Sequence, residues 1–245
     1  MNVIKFSICA LHAWAPGLTT PDAWLQWCQN PVAIKGTNTE QPRLTAIHPM
    51  LRRRVDFQGK MALSVSSLSL EEEQMVPVIW CSRHGEVKRS VAILENFVSE
   101  GTVSPAAFSM SVHNAVAGVF SIVQSNLASY TAMAAKENMV PNALIEAYTM
   151  LEDGMEQVLL VVYSNCLPEP FSQYADRPEM PFAWSCLICP AIHKDIFELS
   201  WSSTDSVISS GGNIPQELEI LKFLMGKDAV WQTAIAGKEW ILTRV

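Results

Sequence analysis

Residues 134–147 read AAKENMVPNALIEA, and the fold turns on this stretch. Ser129 to Ala135 reads as a strand. From Asn142 to Glu152 the residues Ala143, Leu144, Ala147, Tyr148 and Leu151 recur at helical spacing. With Asn138 as N-cap, Pro141 falls in the first turn, where its missing N–H costs nothing. Gly154 then stands where a C-terminal cap is expected. A strand turning sharply into a helix is where α/β enzymes often hold a Ser or Cys nucleophile. Here the junction offers Lys136, Glu137 and Asn138. Glu137 lies beside the positive end of the helix dipole, and complementing that dipole is one sufficient reason for an acid there. A carboxylate attacking a thioester would give a mixed anhydride, uphill from the thioester consumed. Glu137 is therefore a poor acyl carrier.

Working outward, strand-like and helix-like segments alternate, which predicts a layered α/β fold. Val3–Leu11 reads as a buried first strand and Thr20–Gln29 as a helix opened by Thr-Pro. Arg52–Ser69 reads as one helix, Val76–Cys81 as a strand, and Gly85–Glu100 as a helix stopped by Gly101. Asn114–Asn126 is small and apolar enough to pack inside. Val158–Tyr163 (VLLVVY) is a fully buried central strand. Phe182–Cys189 and Ile196–Trp201 are placed as a hairpin, Pro215–Met225 as a helix and Trp240–Val245 as a last strand. Ser210–Asn213 (SGGN) reads as a turn; it lacks the Lys-Ser/Thr ending of a phosphate cradle. No repeat or linker interrupts this order, so residues 1–245 are read as one domain.

Composition narrows the function. Hydrophobic residues make up 49% of the 245 and charged ones 17%, with mean hydropathy +0.15. That apolar balance points to surface reserved for a partner chain. The net charge of −7 argues against nucleic-acid binding. No apolar run approaches the ~18–20 residues of a membrane helix, and His12 and Trp14 interrupt the one signal-like start, so a cytoplasmic protein is expected. The six cysteines sit mostly in apolar runs and read as reduced, packed thiols. Cys186 and Cys189 form a CxxC, but a strand turns them to opposite faces and no second pair completes a metal site. Neither a metal nor a cofactor is expected.

The run SVHNAVAGVFSI (Ser111–Ile122) resembles the Asn-x-Val-x-Gly-x-x-x-Ile segment of β-ketoacyl synthases, of the thiolase-like superfamily. Counting on from Asn114 without a gap puts the family's active-site cysteine at position 137, and counting back from the helix starting at Asn142 gives the same position. Glu137 stands there. Further resemblances follow in the family's order: LRRR (Leu51–Arg54) before MAL (Met61–Leu63), PVIWCSRHGE (Pro77–Glu86), and Gly154–Tyr163. The catalytic members carry two histidines in a second half. None of the five histidines here (12, 48, 84, 113, 193) matches those motifs, and the chain stops short of such a half.

The resemblance therefore implies a thiolase-like layered sheet with packed helices, corresponding to the ketosynthase N-terminal half, with the second half truncated. It implies a chain-length factor of the short form found in aryl polyene biosynthesis. Such a subunit pairs with a catalytic ketosynthase, as a heterodimer or dimer of heterodimers. The synthase elongates chains on an acyl carrier protein with malonyl units, as in fatty acid and polyketide synthesis. The two subunits would meet through their central sheets, and Arg83, His84, Phe108, His113 and Asn114 are the acyl-tunnel or interface candidates. For His84 a loop histidine is the competing reading, and for Phe108 ordinary core packing. Arg52, Arg53 and Arg54 either contact the acidic carrier protein or form a solvated helix face. Two other functions stay open: an independent acyl-thioester enzyme with Glu137 as base beside Lys136 or a histidine, and a lipid-binding module.

Overall fold

The computed structural model describes residues 2–36, 40–45, 47–71, 74–192, 195–206 and 212–245. In chain order the elements are β1 (Asn2–Trp14), α1 (Pro21–Gln29), α2 (Pro49–Arg54), α3 (Phe57–Leu68), β2 (Val78–Cys81) and α4 (Val87–Glu100). Then come α5 (Pro105–Ser109), α6 (Ala115–Val123), β3 (Tyr130–Met133), α7 (Met139–Glu152) and β4 (Val158–Ser164). The chain finishes with β5 (Phe182–Pro190), β6 (Ile196–Ser203), α8 (Gln216–Met225), β7 (Val230–Ile235) and β8 (Lys238–Arg244).

The strands form one eight-stranded sheet in the order β3-β2-β4-β5-β1-β6-β8-β7. β2 runs parallel to β3 and β4, and every later pairing is antiparallel. Helices cover both faces of the β3–β5 half, so β4 is buried along nearly its whole length, as its unbroken apolar run requires. One core gathers α1, α7 and α8 on one face of the sheet, around Phe6, Trp24, Leu160, Trp184 and Trp240. The other puts α3 and α6 on the opposite face, around Met61, Trp80, Phe120 and Tyr163.

Local chemistry sets the element ends. The Thr20 hydroxyl accepts from the Ala23 N–H at the start of α1, and Gly101 ends α4 in the left-handed conformation (φ 70°). The helix expected over Arg52–Ser69 is two helices, because Asp56 caps α3 by accepting from the Gly59 N–H at 2.8 Å.

Two further expectations are corrected. β5 and β6 are not a hairpin: β1 lies between them and pairs with both. The hairpin at this end is β7–β8, whose β7 the sequence reading missed; it turns at Ala236 (φ 54°) and Gly237 (φ 74°), the paired positive φ of a tight hairpin turn. The cysteines are not all reduced either. Cys9 and Cys189 form a disulfide across β1 and β5, with Cα atoms 6.6 Å apart. Cys28, Cys81 and Cys186 are buried thiols, and Cys166 is exposed. Cys186 does face away from Cys189, as strand geometry demands. Ser210 and Gly211 of the expected turn, and His193, lie outside the described residues.

Candidate functional site

The β3–α7 junction is built as its sequence foretells. Asn138 precedes α7 in the left-handed conformation (φ 59°), which Asn tolerates better than most residues. Its side chain does not cap the helix. Instead Nδ2 donates to the Ile235 carbonyl at 3.5 Å and Oδ1 accepts from Gln216 Nε2 at 3.5 Å. The turn of the β7–β8 hairpin and the start of α8 thus pin the junction from outside. Met139, Val140 and Pro141 are buried behind it.

Glu137 points into a cleft of about 370 Å³ lined by Arg83, Asp176, Arg177, Ile214, Gln216 and Ile235, among others. Its side chain is one-third exposed, and its carboxylate lies 3.7 Å from Lys136 Nζ. Every cation of the cleft has an acid. Arg83 grips Asp176 with two nitrogens at 2.7 and 2.8 Å. That guanidinium holds the Asp176 carboxyl well down, at about 2. Arg177 pairs with Glu217 on α8 at 2.6 Å, and among the described residues Glu217 Oε2 is buried without a hydrogen-bond partner. Asp176 and Arg177 both belong to the loop between β4 and β5. That loop is therefore tied to the β2–α4 turn and to α8 at once.

The Ser82–Gly85 turn, expected near a partner boundary, is tightly knit. The Ser82 hydroxyl accepts from the Gly85 N–H (3.1 Å) and from Gln58 Nε2 (3.2 Å). His113 Nε2 donates to the Ser82 carbonyl at 2.8 Å. Its ring covers Gly85 (φ 53°) so closely that a Cβ there would strike it. His113 and the Ser82–Gly85 turn are thus brought together. His84 is half-buried and meets Glu179 Oε1 at 3.2 Å. Burial first, then Arg83, lowers its pKa. Asn114 stands at the start of α6 without a side-chain cap bond.

Phe108 stands elsewhere, on α5, and is 61% exposed, so the core-packing reading of it fails for this chain. It shares that surface character with Leu94, Phe97 and Val98 of the neighbouring α4. Arg52, Arg53 and Arg54 lie exposed on α2. Sequence reasoning missed Asp176, Arg177, Glu179 and Glu217. No local pattern marks them, because each finds its partner at least 40 residues away.

Among the described residues no group of His, Cys, Asp and Glu is placed to hold a metal. Nor is any helix long and apolar enough to cross a membrane.

A family model described as β-ketoacyl synthase, N-terminal domain, matches residues 24–242. The chain belongs to this β-ketoacyl synthase family. Its fold is the thiolase-like ketosynthase fold expected from the sequence, and the resemblance to ketosynthase-like chain-length factors is borne out. No curated protein matches it. Among solved structures it is similar to a chain of the ketosynthase ApeO in complex with its chain length factor ApeC from Xenorhabdus doucetiae. The TM-score there is 0.83 at 25% identity, over 98% of this chain and 100% of that one. It shares its fold with the ishigamide ketosynthase/chain length factor: TM-score 0.63, 12% identity, 81% of this chain and 67% of that chain. The same holds for AntDE:AntF, a type II polyketide synthase acyl-carrier protein in complex with its ketosynthase. There the TM-score is 0.60 at 14% identity, over 82% of this chain and 70% of that chain.

Proposed function

We propose that this β-ketoacyl synthase family member is a non-catalytic chain-length-factor subunit. It pairs with a catalytic ketosynthase that elongates polyene chains on an acyl carrier protein with malonyl units. The observation that carries the reading is Glu137. It occupies the position counted for the family's nucleophile, on a strand–helix junction otherwise kept intact, and a carboxylate there cannot carry an acyl group at thioester energy. The match to a chain of the ApeO–ApeC complex supports the partner role, because that chain is spanned in full while the ketosynthase-complex chains above are spanned only to 67–70%.

The surface supports it too. Among the described residues β3 pairs with β2 alone and ends the sheet, leaving an unpaired strand edge. Tyr130 on it and Ile122 and Leu127 leading into it are exposed apolar residues. A second sheet joining there would cover them. In that assembly Arg83, His84, His113 and Asn114 lie at or near the boundary. Phe108 or His84 limits the partner's acyl tunnel, and Arg52–Arg54 offer charge to the carrier protein.

Co-expression with a ketosynthase that retains its cysteine and histidines tests the assignment. A stable 1:1 complex, with this chain poorly soluble alone, is the expected result. A well-behaved monomer that turns over acyl thioesters would refute it. Within the complex, Phe108→Ala or His84→Ala should shift the product chain lengths, and an unchanged distribution for both would remove the tunnel assignment.

A further inference from the structure

We propose that the Cys9–Cys189 disulfide is a redox latch that sets how firmly the C-terminal strands are held to the rest of the sheet. This rests on the sheet order alone and is independent of the function proposed above.

Among the described residues β1 is the strand through which the two parts of the sheet are joined. β3, β2, β4 and β5 lie on one side of it and β6, β8 and β7 on the other. β5 and β6 share no ladder, so the backbone connection between the parts runs through β1. The disulfide sits on that connection and fixes β1 to β5 across a sequence separation of 180. A cross-link spanning so long a segment restricts the chain strongly when the ladder opens.

Its placement suits a bond that is made and broken. Ile8 faces Ile188 and Ala10 faces Leu187, so Cys9 is the extra residue of a bulge. Bonding it to Cys189 leaves the flanking register as it is. Cys9 is exposed while Cys189 is buried, so a small thiol reaches the bond from the Cys9 side. Its thiolate attacks Cys9 Sγ, the S–S bond breaks, and Cys189 leaves as a thiolate that takes up a proton. A second thiolate then attacks the small-molecule sulfur of the mixed disulfide, and Cys9 leaves as a thiolate that takes up a proton. The balance is protein disulfide plus two small thiols to two protein thiols plus one small disulfide, and the reverse reaction sets the latch.

The strands beyond β1 matter to the cleft. Gln216 and Glu217 of α8, and the Ile235 carbonyl at the end of β7, hold Asn138 and Arg177. Loosening β6, β8 and β7 therefore loosens one wall of the Glu137 cleft.

The test uses the full chain in glutathione buffers from fully reduced to fully oxidised. Two readouts are taken: thiols alkylated under denaturing conditions and counted by mass, and hydrogen exchange of the folded protein. Oxidised protein should show four alkylated thiols, as the four free cysteines require, and reduced protein all six. Reduction should speed exchange of the amides bonded across the β1–β5 ladder by about tenfold or more while leaving β2 and β4 unchanged. Cys9→Ser should abolish that response, and the wild-type titration decides the matter by itself if the variant does not fold. Six reactive thiols at every glutathione ratio would overturn the proposal. So would exchange that rises equally in β2 and β4, or not at all.

Discussion

Two glutamates each stand just before a helix, and they are opposites. Glu137 precedes the central helix α7 at the position counted for a nucleophile, yet it is one-third exposed beside the largely exposed Lys136. Glu86 precedes α4, where no chemistry is expected, and its side chain is only 2% exposed. Burial and the nearby Asp56 push the Glu86 carboxyl up to about 8, against the pull of Arg89. Among the described residues Oε1 of Glu86 is buried without a partner, as is the hydroxyl of Tyr163, whose titration is pushed upward by burial first and then by Glu86. The perturbed acid therefore sits where it bears on folding, and the acid at the position counted for the nucleophile lies one-third exposed in a cleft. Strong perturbation marks functional sites only probabilistically; here it marks the seat of α4, the helix that bears exposed Leu94, Phe97 and Val98.

Three substitutions break or sharpen that contrast. The largest effect should come from a third acid, Glu217, which is buried like Glu86 but paired more closely, at 2.6 Å to Arg177 against 3.7 Å from Glu86 to Arg89. Arg177→Ala leaves its charge stranded and should cost about 3–5 kcal/mol of stability in urea unfolding. A loss under ~1 kcal/mol would mean that the Arg177–Glu217 pair contributes little to holding the fold.

Glu86 itself comes next. Its folded pKa lies above its ordinary value of 4.5, at about 8, so between those values the unfolded chain releases a proton that the folded chain keeps. Stability should fall as pH rises from about 4.5 to about 8 and level off beyond. Glu86→Gln should flatten that slope and leave the variant more stable than wild type at pH 8. Equal slopes in the two proteins would show that Glu86 is not the group responsible.

The smallest effect belongs to Glu137. Its pair with Lys136 is exposed, so Glu137→Ala should change stability by less than ~0.5 kcal/mol. A loss of 2 kcal/mol or more would erase the contrast with Glu86.

Much of this was legible in the chain. The apolar spacing of Asn142–Glu152, the Thr20 cap, Gly101 and the unbroken run at Val158 all act within a few residues, and each element formed where those signals put it. The misreadings share one cause, distance along the sequence. β5 and β6 follow each other closely and look like a hairpin, but β1, nearly 170 positions earlier, is inserted between them. The Cys9–Cys189 bond depends on that same insertion. At the site, Glu137 could be placed by counting from two anchors. The acids and bases around it, Asp176, Arg177 and Glu217, could not, because a loop and a late helix bring them in. Phe108 shows the limit from the other side: an aromatic residue in an apolar stretch reads as core, and only the fold shows that it has nothing to pack under.

The central claim is that this chain shapes a ketosynthase without performing its chemistry. Its most direct test is elongation of a carrier-protein-bound acyl chain by the reconstituted complex, comparing Glu137→Ala in this chain with replacement of the partner's nucleophilic cysteine. Product formation should survive the first change and vanish with the second. Loss of product on Glu137→Ala, with the complex still assembled, would contradict the account.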